Sequence, residues 1–315
     1  MLGRLVGFRL MGIVPQLALV SVAIFLLTYL IPGSPAAVLL GPRATPEGIA
    51  ELEERLGLDQ PLVVQFVEWV GGVLRGDLGT SWFGNKPVTK VISEHLLPTI
   101  SLTVGGILVA ILLGMSAGIV AALRPGALLD RIVGLGTATG LAVPSFWLGV
   151  ILLGYLAVQL GWFPVLSWTP PSQDVGLWLR GLVLPSIAVG IAGSAVIARH
   201  TRSAMLETLA APYVQTLRAM GTPRRTIVAR YAIKNTMVPI LSVIAFQLST
   251  LIAASFVVEQ VFTIPGIGTQ LINAVARKDV PVVQGITLVV AAAVIMIYLL
   301  ADIGYALLNP RARPQ

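Results

Sequence analysis

The chain contains no cysteine, which excludes disulfides, thiolate metal sites and cysteine nucleophiles. Its two histidines, His95 and His200, lie far apart and lack a metal-ligand spacing. Charge is scarce: Asp, Glu, Lys and Arg supply 11% of the 315 residues, against ~25% in an ordinary soluble domain. There is no Gly-x-x-x-x-Gly-Lys-[Ser/Thr] motif, and none of Lys86, Lys90, Lys234 or Lys278 follows a glycine. A Walker-type phosphate loop is therefore absent, and ATP, if it drives this protein, is bound by another polypeptide. No Ser/His/Asp arrangement or close carboxylate pair points to hydrolysis, which argues against an intramembrane enzyme.

What the sequence has in quantity is apolar length. Hydrophobic residues make up 56% of the chain and mean hydropathy is +0.89. A helix crossing ~30 Å of hydrocarbon at ~1.5 Å per residue needs ~20 apolar residues. Stretches of adequate length run over Leu10–Ile31, Leu96–Leu123, Ile132–Gln173, Gly181–Ala198, Asn235–Val258 and Val280–Ala301. The third exceeds one helix; its span is expected over about 132–160, leaving through Gly161-Trp162-Phe163-Pro164 into the turn-rich Trp168-Thr169-Pro170-Pro171-Ser172. The first run is too long for a signal-peptide core and no A-x-A site follows it, so a retained first helix is expected. The pattern predicts an all-α integral membrane protein with six transmembrane helices.

The net charge of +7 is then a topology signal rather than a sign of nucleic-acid binding. With the N-terminus inside, the inner segments hold Arg4, Arg9, Arg124, Arg131, Arg199, Arg202, Arg218, Arg224, Arg225, Arg230, Lys234, Arg311 and Arg313, which is 13 of the 21 basic residues. Of the 14 acids only Asp130, Glu207 and Asp302 fall inside. This asymmetry predicts both termini in the cytoplasm. Residues 32–95 then form an acidic external segment. Thr45-Pro46-Glu47 reads as an N-cap, a first-turn proline and a favourable acid, with Gly57 as the stop. A second amphipathic piece from Pro61 to Leu74 sets Leu62, Phe66, Trp69, Val70 and Val73 at helical spacing. These helices suit either a cap on the bundle or a contact for an external protein.

Between the fourth and fifth spans, Arg199 to Asn235 alternates charged and apolar residues. Pro212 fits the first position of a short helix and Gly221 its C′ position. Thr222 is expected to cap the next helix, with Pro223 as its first residue and Arg224, Arg225 and Arg230 along it. Tyr213, Thr216, Leu217 and Met220 share a face of the short helix, and Ala219 beside Gly221 allows close approach of a partner backbone. Anchoring to anionic lipid also explains the arginines, but it requires no helix–Gly–helix.

At this loop the sequence resembles the permease subunits of ATP-binding-cassette (ABC) importers, in the dipeptide/oligopeptide/nickel branch. The matching residues are Tyr213-Val214-Gln215-Thr216-Leu217-Arg218-Ala219-Met220-Gly221, then Asn235 and Pro239. The broader importer family starts this stretch with Glu-Ala-Ala, where this chain has Gln215-Thr216-Leu217. Further blocks are Gly76-Asp77-Leu78-Gly79-Thr80-Ser81 with Pro87-Val88, Leu97-Pro98-Thr99-Ile100-Ser101-Leu102, and Val143-Pro144-Ser145-Phe146-Trp147. Glu259-Gln260-Val261-Phe262 with Pro265-Gly266-Ile267-Gly268, then Asp279-Val280-Pro281-Val282-Val283-Gln284-Gly285 and Asn309-Pro310-Arg311, complete the series.

The resemblance implies a type I ABC importer permease bundle in a bacterial inner membrane, with an external segment between helices 1 and 2. Its division would be a first helix in 1–31, an external segment in 32–95, a five-helix transport core in 96–308 holding a coupling loop at 199–236, and a tail at 309–315. Its partners would be a second homologous permease, two ATP-binding subunits that hold ATP and Mg, and an external substrate-binding protein. Tyr213, Thr216, Leu217, Ala219, Met220, Gly221, Arg224 and Arg225 would then meet the ATPase. The transported solute would be a di- or oligopeptide or a similar small molecule, moved by alternating access. Pro144 with Ser145, Phe146 and Trp147 is either a tolerated kink or part of the pathway. Pro265-Gly266-Ile267-Gly268 is expected as an external turn before a surface or re-entrant helix, with a gate as the other reading. Gly105, Gly106, Gly114 and Gly118 suit close helix packing. Ion-coupled secondary transport is the alternative; it usually needs ionisable groups or broken helices near the midplane, and the six expected span centres carry no Asp, Glu, Lys, Arg or His.

Overall fold

The computed structural model describes residues 2–30 and 32–308; the tail motif Asn309-Pro310-Arg311 and Arg313 lie outside the described residues. In chain order the helices are α1 (Leu2–Tyr29), α2 (Pro35–Leu40), α3 (Pro46–Arg55), α4 (Leu62–Leu74), α5 (Val88–Leu123), α6 (Leu128–Ala142), α7 (Ser145–Leu152), α8 (Val175–Ala210), α9 (Pro212–Ala219), α10 (Arg224–Thr226), α11 (Ile233–Val261), α12 (Ile267–Arg277) and α13 (Val280–Leu308). α7 runs on as a π-helical stretch, Leu153–Gln159, and another, Ile227–Ala232, joins α10 to α11. Among the described residues no strand forms, only an isolated bridge between Thr80 and Pro87.

Among the described residues five helices are long and apolar enough to cross a membrane: Gly12–Tyr29 within α1, α5, α8, the continuous helix Arg224–Val261, and Val280–Gly304 within α13. The third expected span is not one helix. α6 and α7 meet at 99°, which corrects the single span expected over about 132–160. Pro144 is the cause: it pushes the residue before it out of the helical region. Val143 is extended at φ −87°, ψ 121°, so α6 stops at Ala142 and α7 restarts at Ser145. Other boundaries also move outward. α5 begins at Val88, and α8 starts behind the Asp174 cap, whose carboxylate accepts the Leu177 N–H at 2.9 Å, and continues to Ala210. Hydropathy marks only the apolar middle of a helix, and the flanking polar residues extend it without interrupting the backbone ladder.

The chain forms two compact units, residues 1–97 with 266–296, and residues 98–265 with 297–315. In the first, Thr45 caps α3 by accepting the Gly48 N–H at 3.1 Å. α3 ends at Gly57, φ +68°, with Gly57 N–H on Glu54 O and Leu58 N–H on Glu53 O, the pairing of a Schellman stop. α4 turns Phe66 and Trp69 onto Phe25 of α1, with ring centroids 5.3 and 6.3 Å apart, and leaves Val63, Val67 and Leu74 exposed. The buried Asp279 carboxylate accepts the Ser81 hydroxyl at 2.5 Å and the Trp82 N–H at 3.2 Å. Two blocks far apart in sequence are thereby stapled together.

In the second unit α8 is the central helix: 67% of its apolar window is buried, against 28% for the Arg224–Val261 helix. Leu182, Ala188, Val189 and Ile197 of α8 join Leu102 of α5 and Leu251, Val258 and Phe262 in the core. α5 approaches α8 through glycine. A Cβ on Gly114 would sit 2.7 Å from the Ser194 carbonyl oxygen, and one on Gly118 2.7 Å from Thr201 Cβ. Small residues four apart thus let one backbone lie against the other. Gly118→Leu is expected to lower the unfolding temperature in detergent, at a cost of about 1–3 kcal/mol or more from overpacking. Gly134→Ala in α6, where a Cβ meets nothing within 4 Å, should not lower that temperature, since alanine favours the helix over glycine.

Candidate functional site

The segment between α8 and α11 is built by proline and glycine punctuation. Ala211, preceding Pro212, is extended at φ −63°, ψ 145° and ends α8. Pro212 then occupies the first position of α9, where its missing N–H costs nothing. α9 stops in a second Schellman pairing. Gly221 N–H donates to Arg218 O and Thr222 N–H to Leu217 O, both at 3.0 Å, with Gly221 at φ +75°. The following helix starts one residue later than expected. Pro223 is its N-cap, extended at φ −58°, ψ 139°, and no side chain caps it, so Thr222 does not serve as the cap.

α9 is held from several directions. Val214 is fully buried. The Tyr213 hydroxyl accepts the Asn235 side-chain N–H at 2.8 Å. Arg218 reaches back to the Leu209 carbonyl at 3.4 Å. Arg224 donates to the carbonyl of Leu123, the last residue of α5, placing a cation on an orphan carbonyl at a helix C-terminus. Beneath lies a small apolar core of Ala122, Met205 and Ala232, with Leu206, Leu209 and Val228 against it. Nearby in the same unit, Arg202 forms a two-pronged pair with Asp130, Nε to Oδ1 at 2.6 Å and a terminal nitrogen to Oδ2 at 2.8 Å. Asp130 also accepts the Gly126 N–H at 2.8 Å.

Of the residues expected to meet a partner, Tyr213, Thr216, Ala219, Met220, Gly221, Arg224 and Arg225 are exposed and Leu217 is half-buried. Met220 is the most open large apolar side chain of α9, at 75% exposure. Val214, the anchor of α9, and the Asp130–Arg202 pair went unrecognised in the sequence. Val214 carried the signal of a lone apolar residue on the face opposite Thr216, whereas Asp130 and Arg202 belong to different helices with no shared pattern. At the α6–α7 break Pro144, Phe146 and Trp147 are exposed and Ser145 half-buried. One turn on, Gly149 is buried, and a Cβ there would lie 3.0 Å from the Phe262 ring. The blocks at Pro98 and Glu259 also converge: the buried Glu259 carboxylate accepts the Thr99 hydroxyl at 2.6 Å.

Comparison with known proteins defines the class. Residues 110–314 match the family model described as binding-protein-dependent transport system inner membrane component. Residues 1–103 match the N-terminal model of the same membrane components. The chain is 40% identical over 305 residues to the "Probable peptide ABC transporter permease protein y4tP" of Sinorhizobium fredii, covering 97% of each chain. It is 38% identical over 308 residues to the glutathione transport system permease protein GsiC of Salmonella choleraesuis, again covering 97% of each. Inward-facing MetNI, a methionine ABC transporter, matches in fold with a TM-score of 0.54 at 16% identity, over 70% of this chain and 97% of that one.

The chain belongs to the binding-protein-dependent transport system inner membrane component family and is a multi-pass permease subunit of an ABC importer in its peptide/nickel branch, with the type I importer permease fold. Removing one partner of the Asp130–Arg202 pair is expected to destabilise the α6–α8 contact, because the remaining charge loses its two hydrogen bonds. Asp130→Ala and Arg202→Ala should each lower the unfolding temperature, and the double variant should fall by less than the sum of the two.

Proposed function

We propose that this permease forms the translocation path for peptides in an ATP-driven importer, working by alternating access. The observation that carries the reading is α9: a short helix stopped at both ends, bonded to its neighbours and exposed along Thr216, Ala219 and Met220. A lever needs those properties. It must offer a surface to a partner and must not bend when pushed. The peptide assignment is supported by the names of two relatives, one a peptide transporter permease and the other a permease for glutathione, itself a tripeptide.

In this mechanism a loaded binding protein docks outside, over the 32–95 segment. ATP and Mg, held by two separate ATPase subunits, close those subunits against the cytoplasmic side. Their closure moves α9, with Tyr213, Leu217, Met220, Gly221, Arg224 and Arg225 at the contact. The bundle, paired with a second homologous permease as a heterodimer, turns outward to accept the substrate. Hydrolysis returns it inward. Pro144, Ser145, Phe146 and Trp147, at the bend between α6 and α7, line the path. Both termini lie in the cytoplasm, across the inner membrane from the binding protein. The coupling loop at 199–236 comprises the end of α8, α9 and the start of the Arg224–Val261 helix.

Gly221→Leu tests the coupling. A Cβ at Gly221 meets nothing within 4 Å, but its φ of +75° strains any L side chain, at a cost of about 1 kcal/mol. The variant should remain folded, lose co-purification with the ATPase subunits and lose substrate-stimulated ATP hydrolysis. Normal values for both would remove α9 from the coupling role. Reconstituted alone under a proton gradient, the chain should show no uptake; uptake without ATPase subunits would assign it to ion-coupled transport.

A further inference from the structure

The first unit holds a cavity of about 220 Å³ between the end of α1, the α3–α4 corner and the start of α13. Glu53, Gln65, Lys278 and Gln284 line it, over an apolar wall that includes Phe25 and Val280. Its hydrogen-bonding capacity is lopsided. Thr28 gives its hydroxyl proton to the carbonyls of Phe25 or Ile24, at 2.8 and 3.0 Å, so it can only accept from Gln284. The contact at 3.1 Å is therefore the Gln284 N–H, and the amide orientation is settled by that bond. Gln284 is 94% buried, with 6% exposure, and its carbonyl oxygen has no partner among the described residues.

Gln65 repeats the arrangement. Its nitrogen donates to Leu58 O at 3.2 Å and Gln60 O at 2.8 Å, which uses both protons and leaves its oxygen as an acceptor. Glu53 takes the Ser34 hydroxyl on one carboxylate oxygen at 2.6 Å and keeps the other. Three residues around one cavity thus offer acceptors that nothing among the described residues fills. A primary ammonium carries three protons. Lys278 supplies the opposite charge. It stands at φ +60° and donates one proton to the Pro32 carbonyl, leaving two for an anion. Lys278 and Glu53 form no ion pair with each other across the cavity. Gly33 stands beside it at φ +91°, a backbone conformation that L side chains rarely adopt.

The position selects the ligand. The apolar window of α1 ends at Tyr29 and that of α13 begins at Val280; the cavity touches both ends. Only 17% and 11% of these two windows is buried by the rest of this chain. A cavity at the ends of two spans lies at headgroup level, where tyrosine and tryptophan, here Tyr29 and Trp69, also collect. We propose that this cavity binds the phosphoethanolamine headgroup of a membrane phospholipid, with its ammonium on Glu53, Gln65 and Gln284 and its phosphate on Lys278. A choline headgroup has no N–H to give the acceptors, and a glycerol headgroup has no cation.

The test uses the assembled importer, purified and incubated with equal amounts of phosphatidylethanolamine, phosphatidylcholine and phosphatidylglycerol, with bound lipid counted by native mass spectrometry. Wild type should retain the ethanolamine lipid about tenfold over the other two, the ratio one charge-assisted hydrogen bond supports. Glu53→Gln and Lys278→Ala should each reduce that preference to near unity, while Glu51→Gln, on the exposed face of α3, should preserve it. Free phosphoethanolamine, added in a second arm, should displace the lipid only weakly, because it lacks the acyl chains. No preference in wild type overturns the proposal without reference to any variant. A preference that survives both substitutions overturns it as well. Binding of free phosphoethanolamine without lipid enrichment would assign the cavity to a soluble solute and overturn the lipid assignment.

Discussion

Inside hydrocarbon a backbone N–H or C=O has its own helix to bond to and little else, and each group left open costs several kcal/mol. Most of this chain follows from that constraint. Among the described residues five long helices bond most of their backbone internally, even with Pro15, Pro98, Pro185 and Pro239 inside them. Where the ladder is interrupted, at Val143-Pro144, the open groups must be covered by protein or line a wet cavity. α7 accordingly returns against the second unit's core, with Gly149 buried beside Phe262. The interruption leaves Phe146 and Trp147 exposed at the bend.

The same constraint explains why contacts within the second unit are made so closely. Apolar helices gain little by leaving apolar lipid, so close packing has to hold them together. Gly114 and Gly118 set α5 on the backbone of α8, and the Asp130–Arg202 pair closes the end of the bundle near α9. α9 is therefore mounted on a stiff base. Val214 is buried beneath it, Asn235 holds Tyr213, and Arg224 is fixed to the last carbonyl of α5. The segment is thus bonded to α8 through Arg218, to α11 through Tyr213 and to α5 through Arg224.

Much of this was legible in the sequence because local chemistry wrote it. Thr45, Gly57, Pro212 and Gly221 mark helix ends by geometry those residue types favour, and the structure ends its helices there. Hydropathy located every span, since lipid leaves few other readings for ~20 apolar residues. It misplaced their ends, because residues such as His200 and Glu207 continue α8 past its apolar part. It also missed the fracture at Pro144, since apolar composition is blind to a 99° bend. The pairings Asp130–Arg202, Ser81–Asp279 and Thr99–Glu259 could not be read at all. Each joins residues of different helices or loops, and nothing in a single chain's periodicity connects them.

The central claim is that α9 is the surface an ATPase subunit grips. The chain has no cysteine of its own, so Met220→Cys introduces a single thiol, on a side chain that is 75% exposed. Carrying a short photoreactive maleimide, that position should cross-link to an ATPase subunit in the assembled importer. Leu74→Cys, at the equally open end of α4, should not. Cross-linking at Leu74 with none at Met220 would contradict the account.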